Sequence, residues 1–446
     1  SALGPGGLTA LGLPAEPGRD ALASFPLAFR QGMADQYRSR VLDDVGASDP
    51  QVWRWGAQDN PVDVVLVSYA DTEARLDAKL KRLDKVLRAS GAKRVVRLSL
   101  TTNRQDKGAE DVASEAPVKR ERSEQQPREH FGFADGISQP VIRGVRHRRT
   151  HNSSPMHSIA AGEFIFGYRD EHGCFPPPPT VPSRFDQSGR LPAVDVSGAP
   201  SADRHAVRDF GRNGTFAVIR QLEQHVDAFN DYCQSRGDAL GKTPEWVGSR
   251  IIGRWPNGSS VVRNPESAGS SLDNAFSYGE EDPQGRHCPL GAHVRRSNPR
   301  DSLGLDLDAQ LRISKRHRIL RAGRSYVDGK EKGLLFVCFN ASIERQYEFI
   351  QQTWMSGMNF HGLRGEKDPL IGNHSQYAGR LTIQKWEGAD ELKRIPAFVT
   401  TRGGGYYFVP GQTALRFLRH RLAAQSLTPA SASATPVRSR VSADPA

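Results

Sequence analysis

Three stretches of the chain share one order of hydrophobic and polar positions. Each begins with a run rich in β-branched and aromatic residues, passes through polar residues and continues with apolar residues at helical spacing. These stretches are residues 62–87, 215–235 and 333–354. In the third, one helical face would carry Ile343, Tyr347, Ile350 and Trp354. The repeated order of strand and then helix predicts a duplicated α+β domain.

Long segments between these units lack a regular pattern. Residues 101–130 are almost wholly polar and predict a long loop or a mobile insertion. Residues 174–204 contain PPPP and many small polar residues, which indicates an irregular connection. From about Ser426 the tail has the composition of a disordered segment. Loops of this length inside compact domains often carry function, so the residues beside them are of interest.

Composition excludes several classes of protein. The longest apolar runs, VDVVLVSYA and GLLFVCF, are far shorter than the roughly 20 residues that cross a bilayer, so no membrane span is expected. The four cysteines form no CxxC pair, which argues against a zinc site or a disulfide framework and favours a reducing compartment. We therefore expect a cytoplasmic protein, although secretion after removal of a leader stays open.

The charge of the chain favours anionic partners. Its formal net charge is +11 and its estimated pI is about 9.6. The basic residues are scattered over KLKRLDKVLR, RGVRHRRTH, RRSNPR and SKRHRILRAGR, and no known DNA-binding or RNA-binding motif is evident. No nucleic-acid partner is expected, and attraction of small anions is the simpler interpretation.

A few residues are candidates for chemistry. In FGFADGISQP, Asp135 precedes a glycine, and Asp-Gly is a common turn signal. His293 lies in CPLGAHVRRSNPR, Arg300 ends that run, and Arg321 lies in HRILRAGRSYV. Taken singly, these residues suit a turn, a solvated histidine and surface guanidinium groups.

Taken together, the same segments resemble the dye-decolourising peroxidases. FGFADGISQP matches the GxxDG motif of that family. Further blocks follow in the family's order, namely GEFIFGYRDEHG, RNGTFAVIRQLEQ, CPLGAHVRRSNPRD, ILRAGRSYV, GLLFVCFNASIERQYEFIQQTW and GGGYYFVP. The resemblance extends from about Val62 to Val409, and it departs from the family at RAGRSYV, where Pro-Tyr-Gly is common.

The resemblance implies an α+β fold of two ferredoxin-like domains, with antiparallel β-sheets and peripheral helices. The N-terminal domain would cover residues 1–210 and contain the GxxDG motif, and residues 211–425 would form the haem-binding domain. Residues 426–446 would follow as a disordered tail.

The resemblance also implies a haem b site. Asp135 would be the distal acid, Arg321 the distal arginine and His293 the axial ligand of the iron. Arg300 would pair with a haem propionate. The remaining contacts with the cofactor would come from Gly136, Ile137, Leu334 and Phe336. For the acceptor that holds the second ring nitrogen of His293, we consider Glu344 or Glu348, at the acid-rich start of the helix that follows GLLFVCFNAS.

The implied activity is reduction of hydrogen peroxide through a ferryl intermediate, with oxidation of dyes and of phenolic or other aromatic compounds, by a monomer or a homodimer. Bulky dyes would pass electrons through tryptophans, or through tyrosines such as Tyr326 and Tyr406, although core packing explains most of these residues. Trp354 in particular is expected to be core. The six tryptophans are Trp53, Trp55, Trp246, Trp255, Trp354 and Trp386.

Two other functions remain open. A haem-binding or haem-handling protein would use the same ligand and pocket with little peroxidase turnover, but it would not need a distal acid facing an arginine. A basic scaffold that binds nucleic acid would show no Soret absorption.

Overall fold

The computed structural model describes residues 1–14, 20–101, 127–145, 154–194, 206–270, 272–304, 306–374 and 378–427 of the chain. Most of the loop predicted at residues 101–130 therefore lies outside the described residues, as do the end of the segment 174–204 and the tail from residue 428.

A sheet of eight antiparallel strands forms the centre of the fold. Its strand order is β2-β1-β14-β8-β11-β10-β3, and the short β9 also pairs with β11. These strands are β1 (Ala2–Leu3), β2 (Val64–Val65), β3 (Leu100–Thr101), β8 (Thr215–Gln224), β9 (Leu320–Arg321), β10 (Arg324–Asp328), β11 (Glu331–Asn340) and β14 (Val399–Val409). Three small two-stranded sheets use β4 (Val141–Ile142) with β5 (Ser158–Ile159), β6 (Thr180–Pro182) with β7 (Val207–Asp209), and β12 (Gly379–Gln384) with β13 (Ala389–Ile395).

Helices flank this sheet. The α-helices are α1 (Pro5–Ala10), α2 (Leu27–Gln31), α3 (Gln36–Val41), α4 (Glu73–Ala89), α5 (Val226–Leu240), α6 (Pro244–Ile252), α7 (His293–Ser297), α8 (Leu307–Arg316) and α9 (Gln412–Leu427). Single 3-10 turns occur at Ala21–Ser24, Gly46–Ser48, Pro50–Val52, Pro155–His157, Ala161–Glu163, Ser183–Phe185 and Phe360–Gly362.

The three predicted strand-then-helix units are confirmed. They correspond to β2 with α4, to β8 with α5, and to β11 with a helix that begins after Ser342. That helix consists of two π-helical segments, Ile343–Glu348 and Ile350–Met355. The predicted apolar face is buried as expected, and Trp354 is a core residue. The spacing of the apolar residues in the sequence did not distinguish a π-helix from an α-helix.

The α+β class is confirmed, and the sheet shows how the two ends of the chain combine. β1, β2 and β3 come from the first 101 residues, whereas the other five strands follow residue 214. The predicted division into domains at residue 210 stays a prediction.

One face of the sheet carries both the main core and the cavity described below. Phe216 and Val218 of β8 face Phe408 and Tyr406 of β14 across the ladder, and all four side chains are buried. Because side chains alternate along a strand, Leu222 and Gln224 lie on this same face nearer the end of β8. The opposite face is covered in part by apolar residues around β2 and in the segment that leads into β3, namely Val62, Val65, Val95, Leu98 and Leu100.

We expect Phe216→Ala to lower the free energy of unfolding by about 3–5 kcal/mol, the usual cost of removing a fully buried ring. Phe216 has no exposed surface, and its ring lies 5.4–5.7 Å from those of Phe29, Phe166 and Phe408. Chemical denaturation measures the change. The control Tyr69→Ala removes a ring that is 67% exposed, and it should change stability by less than about 1 kcal/mol. Equal losses in the two variants would contradict this account of the core.

Five of the six tryptophans are buried, which confirms that core packing explains most of them. Trp386 is the exception, because its ring is 78% exposed and the guanidinium of Arg286 lies 3.7 Å from its centre. The two tyrosines considered as relays, Tyr326 and Tyr406, are both buried.

Candidate active site

A cavity of about 230 Å³ lies between the sheet and the helices. The sheet contributes residues of β8, β9, β11 and β14, and the helical wall includes α7 and both π-helical segments. The structure brings all eight site residues that were proposed from the sequence to this one cavity. They are Asp135, Gly136, Ile137, His293, Arg300, Arg321, Leu334 and Phe336.

Asp135 lies in a loop whose backbone is shaped by glycine. Gly132 and Gly136 have φ angles of 93° and 81°, in the left-handed region that favours glycine. The amide of Gly136 donates a hydrogen bond of 2.6 Å to Oδ1 of Asp135, and the amide of Asp135 donates to the carbonyl of Pro127. Asp135 is therefore a turn residue whose carboxylate nevertheless reaches the cavity.

Arg321 faces this carboxylate. Its Nη1 lies 3.5 Å from Oδ1 of Asp135, and the two side chains are 34% and 39% exposed. Arg321 ends β9, where it lies opposite Cys338 of β11. The sheet thus fixes the backbone of the arginine, while the carboxylate comes from a loop 186 residues earlier in the chain.

Gln139 ties these two segments together. Its side-chain amide donates to the carbonyl of Arg321 over 3.0 Å, and its side-chain oxygen accepts from the amide of Arg321 over 3.2 Å. The two bonds fix the loop that carries Asp135 against β9. Gln139 was not identified from the sequence, although it lies within FGFADGISQP.

His293 is held by a buried carboxylate. Its Nδ1 lies 3.1 and 3.2 Å from the two oxygens of Asp368, which is wholly buried and also accepts from the amides of Leu370 and Ile371. Burial would raise the pKa of Asp368, but the imidazole and these hydrogen bonds outweigh it and lower the pKa below its ordinary value. The carboxylate therefore orients the ring and leaves Nε2 as its remaining nitrogen.

The expectation that Glu344 or Glu348 accepts from His293 is wrong. Glu344 accepts instead from the amide of Ala28, and Glu348 accepts from Arg38 and Tyr406. The acid-rich start of the helix supplies contacts within the core. Asp368 follows His293 by 75 residues, and no local pattern in the sequence joins the two.

Three buried arginines form a cluster on the cavity wall. Arg254, Arg300 and Arg318 donate to neutral acceptors, chiefly the side-chain oxygens of Asn274 and Ser138 and backbone carbonyls. Within the described part of the chain, no carboxylate forms an ion pair with any of the three. The cluster thus places positive charge in the interior, where the nearest counter-charge is Asp301, which partly offsets the effect of burial on the pKa of Arg300.

The pKa values of this arginine cluster reflect burial and mutual repulsion. Burial lowers the pKa of Arg254 and Arg300 to about 10, and burial together with Arg300 and Arg321 lowers that of Arg318 to about 9. All three remain protonated at neutral pH. Arg300 also has a φ angle of 56°, so its backbone is strained. An anion bound here would relieve the repulsion.

His157 packs behind the arginine cluster. Its lowered pKa predicts that the protein loses stability in acid. Its pKa is lowered to about 3 by burial and by Arg300, Arg318 and Arg254. Between pH 6.5 and 3 the unfolded histidine binds a proton that the folded one does not, so the free energy of unfolding falls as the pH falls. By pH 5 the loss from this group is roughly 2 kcal/mol.

Denaturation curves at pH 7 and pH 5 measure this effect. His157→Gln, which cannot titrate, should reduce the loss between the two pH values by that amount. The matched control is His172→Gln, because His172 is exposed. A pH dependence that is the same in wild type and His157→Gln would overturn the assignment.

The rest of the cavity wall is mainly apolar. Ile137, Leu334 and Phe336 line it together with further aliphatic side chains, namely Ile252, Val294, Ile319, Ile350, Met355, Leu370, Ile371 and Val399. An imidazole, a basic cluster and a broad apolar surface meet the needs of a flat apolar macrocycle with anionic substituents. Among the described residues, no group of three or more His, Cys, Asp or Glu side chains could hold a bare metal ion.

Comparisons with known proteins find similar chains both in sequence and in fold. No family model matches the chain. In sequence it is 28% identical over 329 residues to a dye-decolorizing peroxidase of Mycetinis scorodonius, covering 66% of this chain and 57% of that protein. It is 29% identical over 318 residues to the multifunctional dye peroxidase of Amycolatopsis sp., covering 65% and 61%. The chain thus spans less than two thirds of the length of these relatives.

Solved structures define the fold. A fungal DyP-type peroxidase from Auricularia auricula-judae superposes with a TM-score of 0.66 at 23% identity, covering 94% of this chain and 85% of that one. An ancestral D-type dye-decolorizing peroxidase superposes with a TM-score of 0.65 at 25% identity, covering 93% and 84%. The class is therefore the α+β fold of the DyP-type peroxidases. In sequence too, the resemblance to the dye-decolourising peroxidases is confirmed.

Proposed function

We propose that this protein is a haem b peroxidase that reduces hydrogen peroxide and oxidises dyes and phenolic or other aromatic compounds. One observation carries the proposal. Asp135 and Arg321 lie 3.5 Å apart on the wall of the cavity that also contains His293, whose Nδ1 is held by buried Asp368. A carboxylate, a guanidinium and an oriented imidazole in one apolar cavity are the groups that peroxide cleavage needs.

The residues present fit haem. His293 would bind the iron, since Asp368 fixes its other ring nitrogen and raises the basicity of the ligand. Arg300 would pair with a propionate, and Arg254 and Arg318 would share that anionic charge. Ile137, Leu334 and Phe336 would pack against the macrocycle. When bound, the haem iron would supply the redox chemistry that links peroxide to the reducing substrate.

Asp135 would transfer the proton. As a carboxylate it can accept the proton that leaves one oxygen of hydrogen peroxide and return it to the other oxygen, which departs as water. Arg321 cannot act as a base, because its guanidinium stays protonated. Its positive charge would stabilise the negative charge that develops on the breaking O–O bond.

A haem-handling protein is the second candidate, and the cavity alone would suit it as well. It is disfavoured by the Asp135 and Arg321 pair, since storage of haem requires neither a proton acceptor nor a charge stabiliser there. The net charge of +11 would help to attract anionic dyes, which favours the peroxidase further.

An absorption spectrum before and after one equivalent of peroxide tests the proposal. We expect a Soret band in protein supplied with haem, and a rapid shift of that band when peroxide is added. A Soret band that peroxide does not shift would favour the haem-handling protein. A chain that binds no haem would exclude both candidates.

Among the described residues, no helix is both long enough and apolar enough to cross a membrane. The oxidation of dyes is proposed from the site and from the similarity to dye-decolorizing peroxidases, and phenols and other aromatic compounds are proposed as further electron donors. A monomer or a homodimer is proposed as the assembly. A cytoplasmic location is proposed because the cysteines form no CxxC pair.

A further inference from the structure

A second carboxylate lies on the cavity wall near Asp135. Glu129 lines the same cavity, six residues before Asp135, at the end of the segment that the sequence predicts as a polar loop. This position is costly for a carboxylate, because burial raises the pKa of Glu129 above its ordinary value and Asp135 adds to that effect. The hydrogen bonds that Glu129 accepts offset part of the cost.

Glu129 accepts three hydrogen bonds, which tie the loop both to itself and to the sheet. Oε2 accepts from the amide of Phe131 over 2.8 Å, and Oε1 accepts from the amide of Phe133 over 2.9 Å. The side-chain amide of Gln224 donates to Oε2 over 2.6 Å. Gln224 is buried and ends β8. The carboxylate therefore joins the end of a central strand to the turn that precedes Asp135.

An ionised carboxylate suits these three donors better than any other side chain of the same length. Glutamine has only one oxygen, so its NH₂ group would face an amide N–H. Apolar contacts hold the loop independently, because the rings of Phe131 and Phe133 lie 4.7 and 6.1 Å from that of Phe229 in α5. Loss of the carboxylate should therefore shift the turn without releasing the whole loop.

We propose that Glu129 is a positioning residue, which holds the turn at residues 129–133 against the end of β8 and so fixes Asp135 over the cavity. The proposal rests on the proposed function, since Asp135 has a task there only if peroxide is cleaved. Gln139 fixes the same loop on the other side of Asp135, through its two bonds to Arg321. Asp135 thus lies between two restraints. A displacement of about 1 Å can slow a reaction of positioned groups roughly 10²-fold.

Glu129→Gln in the haem-loaded full chain tests the proposal. We expect its reaction with hydrogen peroxide, followed at the Soret band by stopped flow, to be slower by roughly 10–100-fold with unchanged haem content. In the Asp135→Asn background the same change should slow the reaction by less than about twofold, because the carboxylate that Glu129 positions is gone. The matched control is Glu73→Gln, an exposed glutamate of α4, which should react as the wild type does.

Hydrogen exchange of the full chain gives a readout that needs no peroxide. The amides of Phe131 and Phe133 donate to Glu129. Mass spectrometry should therefore find that the peptide containing them exchanges roughly tenfold faster in Glu129→Gln than in the wild type. Exchange in β8 should be the same in both proteins.

Two outcomes would overturn the proposal. Exchange and peroxide reaction as in the wild type would mean that the turn is held without Glu129. Equal slowing by Glu129→Gln with and without the Asp135 carboxylate would mean general destabilisation. Should Glu129→Gln fail to fold, Gln224→Met, which removes only the bond to β8, provides the same test. A wild-type Soret band that peroxide does not shift would refute the proposed function, and the exchange data would still decide whether Glu129 holds the loop.

Discussion

Asp135→Asn is expected to slow the reaction of the haem-loaded protein with hydrogen peroxide by roughly 10²–10⁴-fold, the usual contribution of a general acid–base group. Asparagine has the same shape, and its oxygen can still accept from the amide of Gly136. It cannot take a proton from peroxide, so the loop should persist while the proton transfer fails. Stopped-flow measurement of the Soret change against peroxide concentration gives the rate constant.

The matched control for this prediction is Asp59→Asn, because Asp59 is an exposed carboxylate. It should react as the wild type does, and both variants should contain as much haem as the wild type. Arg321→Leu should also slow the reaction, since it removes the positive charge 3.5 Å from Asp135. Normal peroxide reduction by both Asp135→Asn and Arg321→Leu would mean that the cavity wall has been assigned wrongly.

His293→Ala is expected to abolish stable retention of haem, since it removes the one imidazole proposed to bind the iron. Asp368→Asn should keep the ligand but weaken its orientation and basicity, with losses of about 10–100-fold in haem affinity or activity. The haem content of purified protein and the rate of haem transfer to an acceptor protein measure both effects.

Glu344→Gln tests whether Glu344 or Asp368 is the hydrogen-bond acceptor for His293. Glu344 bonds to the amide of Ala28 and not to the imidazole, so its replacement should leave haem affinity unchanged. Should Glu344→Gln release haem as readily as Asp368→Asn does, the loss in both would reflect general destabilisation, and the role of Asp368 would be unsupported.

Much of the fold could be predicted because its signals are local. The alternation in residues 215–224 and the helical spacing after Ser342 each lie within about 20 residues, and both elements form where expected. The site residues Asp135, His293 and Arg321 were recognisable only as parts of family motifs. Nothing in the composition or spacing around each residue alone would have brought them together.

What the sequence could not show depends on contacts between distant segments. Asp368 reaches His293, and Gln139 reaches Arg321, through packing that no short pattern encodes. Arg254 and Arg318 looked like ordinary basic residues, since their burial depends on the whole cavity wall. The sequence of each strand-then-helix unit predicts its own strand and helix. The order of the strands in the central sheet depends instead on contacts between segments that are distant in the sequence.

The three buried arginines also bear on how the protein is made. A chain that folds before it meets the proposed haem must enclose like charges that repel one another, and His157 behind them must stay neutral. Binding of the two haem propionates would relieve that repulsion, so haem uptake and completion of folding would be thermodynamically linked. Protein made without haem would then be looser and more sensitive to proteases than the haem-loaded protein.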